Sequence, residues 1–306
     1  MKVLAPSISV VIPTKDEEDA IAAIVENCKK SLEGVDHEVI VVDASTDNTP
    51  TQAIRAGAKL VKQIGRGGVG QALTQGFYWA RGEYIAFFDG DGTYDPKDLH
   101  RIVEPLLSGE ADLVNGNRFA DIEKGAMTIT NRVGNHILTW VGNLFFTTRI
   151  KDSQSGMKAF RKDVFRRMSL SERGFPFCSE ILAEASKLNL RIVEVGISYR
   201  RRIGKSKLKP AFAGPAIFWA SIKMLRDYDP LILFTGTGLV LLAAGFYVAW
   251  PVVTEYVMQG TFRMLGRALV SIFCWFAGLL SIFTGLILDA VNYTVKRMET
   301  RLAGEP

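Results

Sequence analysis

The chain has 306 residues, long enough to bury a substantial core as one large domain with an appendage or as two domains. Its net charge of +5, from 37 Lys and Arg against 32 Asp and Glu, suits an anionic partner: nucleic acid, an anionic membrane surface or a phosphate-bearing substrate. Cys28, Cys178 and Cys274 are scattered without metal-ligand spacing, which excludes a cysteine metal site and fits a reduced, cytosolic compartment.

The first residues do not have the pattern of a signal peptide, because the apolar run 8–12 is short and ends in Pro13 and a cluster of acids. Strands are expected at 8–12, 39–42, 59–61, 84–88 and 112–114. Helices are expected between them, at 17–32, 49–56, 71–80 and 96–107. Asp95 before Pro96 is a helix start, a capping residue followed by proline at the first helical position. This alternation predicts a mostly parallel sheet covered on both faces.

In such a sheet the carboxyl ends of the strands form one ligand-binding edge. Pro13 to Glu17 would follow the first strand there, Asp43 to Thr49 the second, Asp89-Gly90-Asp91 the fourth and Asn115 to Arg118 the fifth. The Asp89-Gly90-Asp91 stretch is the most pointed of these. An apolar run breaks into two carboxylates one glycine apart, a donor set suited to Mg²⁺ or Mn²⁺; the other reading is an Asp/Gly-rich surface turn. Asp43 is expected to contact a ligand, whereas Asp47 to Thr49 read as helix capping. Gly65, Gly67 and Gly70 have the spacing of a dinucleotide fingerprint but follow the third strand, and no acid ends the next strand of one βαβ unit, so a dehydrogenase is set aside.

Farther on, Val133, Ile137, Trp140, Val141, Leu144 and Phe145 recur at helical spacing, which reads as an amphipathic helix lying in a membrane surface or as a core helix. Another strand is expected at 191–195, followed by the cationic run Tyr199 to Leu208, and 215–227 is a second amphipathic candidate. Residues 231–253 and 268–288 contain no charge, and each is long enough to cross the roughly 30 Å hydrocarbon core. Lys223, Arg226, Lys296, Arg297 and Arg301 lie outside this pair, placing both termini in the cytosol. Ala277, Ser281 and Gly285 give the second span a small-residue stripe for close packing. Two spans without buried charge read as an anchor, not a channel or transporter. With the basic residues beside the spans, a nucleic-acid binder is not expected.

The ordered series Pro-Thr-Lys-Asp-Glu-Glu, Val-Val-Asp-Ala-Ser-Thr-Asp-Asn-Thr and Phe-Asp-Gly-Asp-Gly-Thr-Tyr-Asp-Pro resembles family 2 glycosyltransferases of the GT-A fold. Gly116 to Phe119, Asn131 to Asn135 and Asp152 to Gly156, with the terminal anchor, are similar to the polyprenyl-phosphate branch, the dolichol-phosphate mannose synthase relatives. The stretch Gly116 to Asn135 is most similar to archaeal enzymes that load hexose onto dolichol phosphate for protein N-glycosylation.

The resemblance implies a GT-A catalytic domain over 1–208, with a mixed, mostly parallel sheet and an interface helix at about 131–147. An amphipathic linker at 209–229, a two-helix transmembrane hairpin at 230–294 and a cytosolic tail at 295–306 complete it. It implies a nucleotide diphosphate sugar, with UDP-glucose or a related UDP-hexose ahead of GDP-mannose, a divalent metal (Mg²⁺ or Mn²⁺), and dolichyl or polyprenyl phosphate as acceptor. By position, Pro13 and Glu17 contact the nucleoside, Asp43 its base, and Asp89 the ribose side; Asp91 binds the metal together with Asp89, and Thr93 stands where relatives have a glutamine ligand. Gly70 opens the third helix, where relatives have a lysine before the glycine; here any such contact to the diphosphate is absent or supplied by Arg66. Arg118 and Arg132 match arginines that receive the acceptor phosphate, and Arg202 is the one of the 200–202 run assigned to the diphosphate.

A lipid phosphate is already anionic and needs no general base. Transfer to a sugar or lipid hydroxyl would need one, with Asp152 the candidate. A non-catalytic membrane adaptor or flippase component is the reading from another class. Protomers that pair through the spans are a further expectation.

Overall fold

In the computed structural model, residues 7–65, 68–144, 146–170, 177–204, 219, 222–223, 225–226 and 229–303 are described. The contacts divide the chain into two compact units, Met1–Ser221 and Ile222–Pro306.

The first unit is an α/β layer structure. Its elements in order are β1 (Ile8–Thr14), α1 (Ile21–Ser31), β2 (His37–Asp43), α2 (Thr49–Arg55), β3 (Lys59–Lys62), α3 (Val69–Trp79), β4 (Tyr84–Phe87), a 3₁₀ turn (Pro96–Asp98), α4 (Leu99–Leu107), β5 (Leu113–Ile122), α5 (Ile129–Gly142), β6 (Lys158–Arg161), α6 (Lys162–Arg167), α7 (Phe177–Lys187) and β7 (Ile192–Tyr199). The seven strands pair in the order β3-β2-β1-β4-β6-β5-β7. β1 runs parallel to β2 and β4, β5 runs parallel to β7, and β6 alone runs against its neighbours β4 and β5. Every residue of β1 is buried, the mark of a central strand covered on both faces. On one face Phe77 packs against Phe87, Phe160, Phe165 and Phe177 with ring centroids 5.1–6.2 Å apart. The other face is filled from α1 and α4 by Ile21, Ile24, Val25, Leu99, Ile102 and Leu106.

Several expectations are revised. The fifth strand does not stop at 114: pairing with β7 carries β5 through Ile122, so Asn115 to Arg118 are strand residues, not a loop beyond it. The first helix starts at Ile21; Glu17 belongs to the preceding turn, where its carbonyl accepts the N–H groups of Ala20 and Ile21. β6, α6 and α7 were not expected. β6 has only four residues, too few for a period-2 pattern to stand out. Its direction puts its first residue, Lys158, at the carboxyl edge of the other strands, beside Phe87 and Asn115.

α5 starts at Ile129, capped by the Thr128 hydroxyl, which accepts the Asn131 N–H at 3.2 Å. Ile129, Val133, Ile137 and Trp140 on it are exposed, which removes the core-helix reading.

The second unit is a pair of long helices, α8 (Pro230–Gln259) and α9 (Leu265–Ala303). Pro230–Gln259 and Leu265–Asn292 are each long and apolar enough to cross a membrane. The helices touch along small residues. The Ser281 hydroxyl donates to the Phe234 carbonyl at 2.8 Å, and a Cβ on Gly278 would meet the Gly238 carbonyl oxygen at 2.9 Å. The expected boundary at 208–209 and most of 209–229 lie outside the described residues.

Candidate active site

The loops after β1 and β2 are tied together and set the first wall of a cleft at the carboxyl edge. Thr14 and Asp43 are partners in the register of β1 and β2, and the Thr14 hydroxyl donates to Asp43 Oδ1 at 2.7 Å. Ser45 donates to the same carboxylate from its hydroxyl and, at 3.1 Å, from its N–H. Asp16 takes the left-handed conformation (φ 49°), which lets its N–H reach Ser45 Oγ and its carboxylate accept the Thr46 N–H. The next N–H, of Glu17, donates to Thr49 Oγ1 at 2.8 Å. Asp47 accepts from the N–H and hydroxyl of Thr49 at the start of α2, the capping role expected of it. Pro13 is buried in β1, and Gly70 is buried in the first turn of α3; Arg66 lies outside the described residues.

The second wall is the turn after β4. Asp91 is shaped by Thr93, whose N–H and hydroxyl both donate to Asp91 Oδ1, at 3.0 and 2.5 Å. The Thr93 hydroxyl thus reaches the cleft by way of Asp91. Among the described residues no donor meets the Asp89 carboxylate. Burial, and after it the charge of Asp91, pushes the Asp89 carboxyl up to about 7, against the pull of Arg118 and Arg202. Gly156 leaves room for it: a Cβ there would stand 2.8 Å from Asp89 Oδ2.

A strap after β7 closes over this turn. The N–H of Arg200 donates to the Thr93 carbonyl at 2.8 Å and that of Ile203 to the Asp91 carbonyl at 3.0 Å. The strap separates its three arginines. Arg200 pairs with Asp121, and Arg201 turns to Glu123 and the Lys124 carbonyl. Arg202 alone enters the cleft, with Nη2 2.6 Å from Glu17 Oε1 and Nη1 3.1 Å from Asp91 Oδ2.

The floor is a buried polar network. Arg118 (7% exposed) donates from Nε and Nη2 to the two oxygens of Asp152 (0% exposed), at 2.7 and 2.8 Å, and its guanidinium lies over the Tyr199 ring. Asp152 is in turn held by its own N–H, which donates to Glu194 Oε1 at 3.1 Å. Asn115 donates its amide to Glu194 and to the Asp152 carbonyl, and its own oxygen accepts from Lys158 Nζ. Desolvation lowers the Lys158 ammonium to about 8. Asn115 was placed at this edge from the sequence, whereas Lys158 and Glu194 were not singled out; the signal available was a lysine and a glutamate inside short strands. Arg132 is brought to a different depth, exposed on α5 with its guanidinium 6.0 Å from the centre of the Phe119 ring, which also stacks on His136 at 4.4 Å. Glu180 is buried in α7.

Among the described residues no three His, Cys, Asp or Glu side chains converge as metal ligands. The pair Asp89 and Asp91, one without a hydrogen-bond donor, fits a cation that completes its shell with water and substrate phosphate, as Mg²⁺ and Mn²⁺ do.

A sheet that gathers carboxylates and arginines at the carboxyl ends of its strands is the architecture of nucleotide-sugar transferases. The family model for glycosyl transferase family 2 matches residues 9–169, and the chain belongs to that family. It is 36% identical over 254 residues to the low-salt glycan biosynthesis hexosyltransferase Agl6 of Haloferax volcanii, covering 81% of this chain and 60% of that protein's length. It is 30% identical over 222 residues to a dolichyl-phosphate hexose transferase of the same organism, covering 72% of this chain and 94% of that one. The fold is also that of glucosyl-3-phosphoglycerate synthase from Mycobacterium tuberculosis, solved with Mn²⁺, UDP and glucosyl-3-phosphoglycerate: TM-score 0.57 at 24% identity, over 73% of this chain and 80% of that one.

Proposed function

We propose that this glycosyltransferase moves a hexose from a nucleotide diphosphate sugar to dolichyl or another polyprenyl phosphate at the cytosolic leaflet, supplying protein N-glycosylation. The carrying observation is the opposition of charges in one cleft, with Asp89 and Asp91 on one wall facing Arg202 and Arg118. Two anions must come together in such a reaction, and a site of this kind lowers the barrier by positioning and charge compensation. The dolichyl-phosphate hexose transferase among the relatives supports this acceptor class, and the UDP-bound structural neighbour is in keeping with a UDP-hexose donor.

Asp89 and Asp91 would hold a divalent cation, which when bound supplies charge neutralisation to the diphosphate leaving group. Thr93 keeps the Asp91 carboxylate oriented for that task. Pro13, Glu17 and Asp43 line the nucleoside side, Gly70 lets a phosphate approach the start of α3, and Arg202 is assigned to the diphosphate. Arg132, exposed on α5, offers a forked donor to the acceptor phosphate, while Arg118, whose Nε and Nη2 are on Asp152, offers its positive charge and remaining N–H groups. The attacking phosphate oxygen carries its own charge, so inversion at the anomeric carbon needs no proton removed. Asp152 has both oxygens bonded to Arg118, which argues against its serving as a base for a neutral hydroxyl.

The exposed apolar side chains of α5 and the two apolar helices support a catalytic unit held against a bilayer. The proposal puts both termini in the cytosol, on the cations that flank the hairpin, and pairs protomers through it. The test is incubation of membranes containing the full chain with labelled UDP- and GDP-hexoses and dolichyl phosphate. A lipid product stable to mild base and released by mild acid is expected, with UDP-glucose or a related UDP-hexose preferred. Labelled product formed on neutral lipids alone, or synthesis undiminished in Asp91→Ala, would overturn the reading in favour of a hydroxyl acceptor or a non-catalytic role.

A further inference from the structure

The cleft concentrates three carboxylates, Glu17, Asp89 and Asp91, whose mutual repulsion has to be offset in the folded chain. Arg118 pulls on Asp89 from the floor, but its guanidinium is bonded to Asp152 and no bond joins it to any of the three among the described residues. Arg202 is bonded to two of the three, Glu17 and Asp91. Both oxygens of Asp91 are therefore engaged, Oδ1 by Thr93 and Oδ2 by Arg202.

Arg202 is also left incomplete. Its Nε is buried and meets no acceptor among the described residues, a state that costs free energy in a folded protein. The strap itself is fixed by its main-chain bonds to Asp91 and Thr93, so a change of partner falls to the long side chain rather than to the backbone. A guanidinium has a strong preference for the oxygens of a diphosphate, which it meets with two parallel bonds.

We infer that Arg202 is the resident counter-cation of the site: it stands on an Asp91 oxygen that a divalent ion would use, and a nucleoside diphosphate draws it off, so that nucleotide and metal ion bind with positive coupling. The inference rests on the metal reading of Asp91 given above. A dication and a guanidinium repel each other on one carboxylate, so metal alone must displace Arg202 unaided. With a diphosphate present, Arg202 gains a new anion and the carboxylate is released. By linkage the metal ion must strengthen nucleotide binding by the same factor.

The experiment titrates Mn²⁺ into the purified full-length protein in detergent and follows free Mn²⁺ by electron paramagnetic resonance, with and without UDP or GDP. Wild type is expected to bind Mn²⁺ weakly alone and roughly 5-fold or more tightly with nucleotide. Arg202→Met, and Arg202→Gln as a neutral variant that can still bond Glu17, should bind Mn²⁺ alone more tightly than wild type. They should keep only the smaller coupling that shared phosphate ligation provides. Arg200→Met removes the same charge from the same strap and should behave as wild type. Thermal melts confirm that each variant is folded. Folded Arg202 variants that bind Mn²⁺ no more tightly than wild type, or an Arg200 variant that matches them, overturn the inference. If Asp91→Asn binds Mn²⁺ as wild type does, the metal reading itself fails, a result distinguishable from the first.

Discussion

Arg118 and Asp152 form a buried two-bonded ion pair, and the main-chain N–H of Arg118 donates to Asp152 Oδ2 as well, at 3.1 Å. Removing one partner leaves the other buried and unpaired. Asp152→Ala should lower stability by about 3–5 kcal/mol, read as a shift of the urea midpoint. Asp152→Asn, which keeps an acceptor oxygen, should lose less. If Asp152 were instead an exposed general base, both variants would keep wild-type stability and lose activity alone.

Glu194 acts on the same arginine from farther away. Its carboxylate gathers the N–H groups of Lys151 and Asp152 and the Asn115 amide. Glu194→Ala leaves those donors unmatched and should reduce stability by about 1–3 kcal/mol. Because it loosens Asp152 and through it Arg118, KM for the lipid phosphate should rise more than KM for the nucleotide sugar. Steady-state kinetics with each substrate varied in turn provide the check.

Asp89 predicts a pH dependence. Its carboxyl, raised from 3.8 to about 7, holds a proton in the folded metal-free protein that the unfolded chain has already lost. Stability from this group is therefore present at low pH and is lost as pH rises through about 7. Metal binding requires the ionised form, so Mn²⁺ affinity should fall by roughly tenfold per pH unit below that point and level off above it. Urea midpoints in chelator across pH 4–8 should show a downward slope in wild type that is shallower in Asp89→Asn.

Gly156 controls the space around the same carboxylate. A Cβ there would come within 2.8 Å of Asp89 Oδ2 and 2.9 Å of the Tyr94 hydroxyl, the latter bonded to the Gly156 N–H. Gly156 does not have a positive φ, so Gly156→Ala meets no backbone strain and acts through this contact. It should lower kcat/KM on the order of 10- to 100-fold with a near-native melting temperature. Unchanged kinetics would show that Asp89 has room to move without consequence.

Much of the fold was legible because its signals are local. Apolar runs of β-branched residues at 8–12 and 39–42, with helical patterns between them, sufficed for the parallel half of the sheet. β6 escaped because four residues between a polar loop and a short helix carry too little pattern. The end of β5 was misplaced because Asn115 to Arg118 look like loop residues; β7, some 80 positions on, gives them their ladder.

The sequence by itself determined the alternating elements, the two carboxylates that follow a strand and the two apolar helices, since periodicity, turn chemistry and hydropathy act over a few residues. Only the tertiary structure decided which charge meets which. It gave Arg118 to Asp152, 34 positions away, and sent Arg202, not Arg200 or Arg201, to Glu17, 185 positions away. Pairing of that kind depends on strand register and on the reversed direction of β6, which bring distant side chains to one edge where unpaired buried charge is too unfavourable to persist.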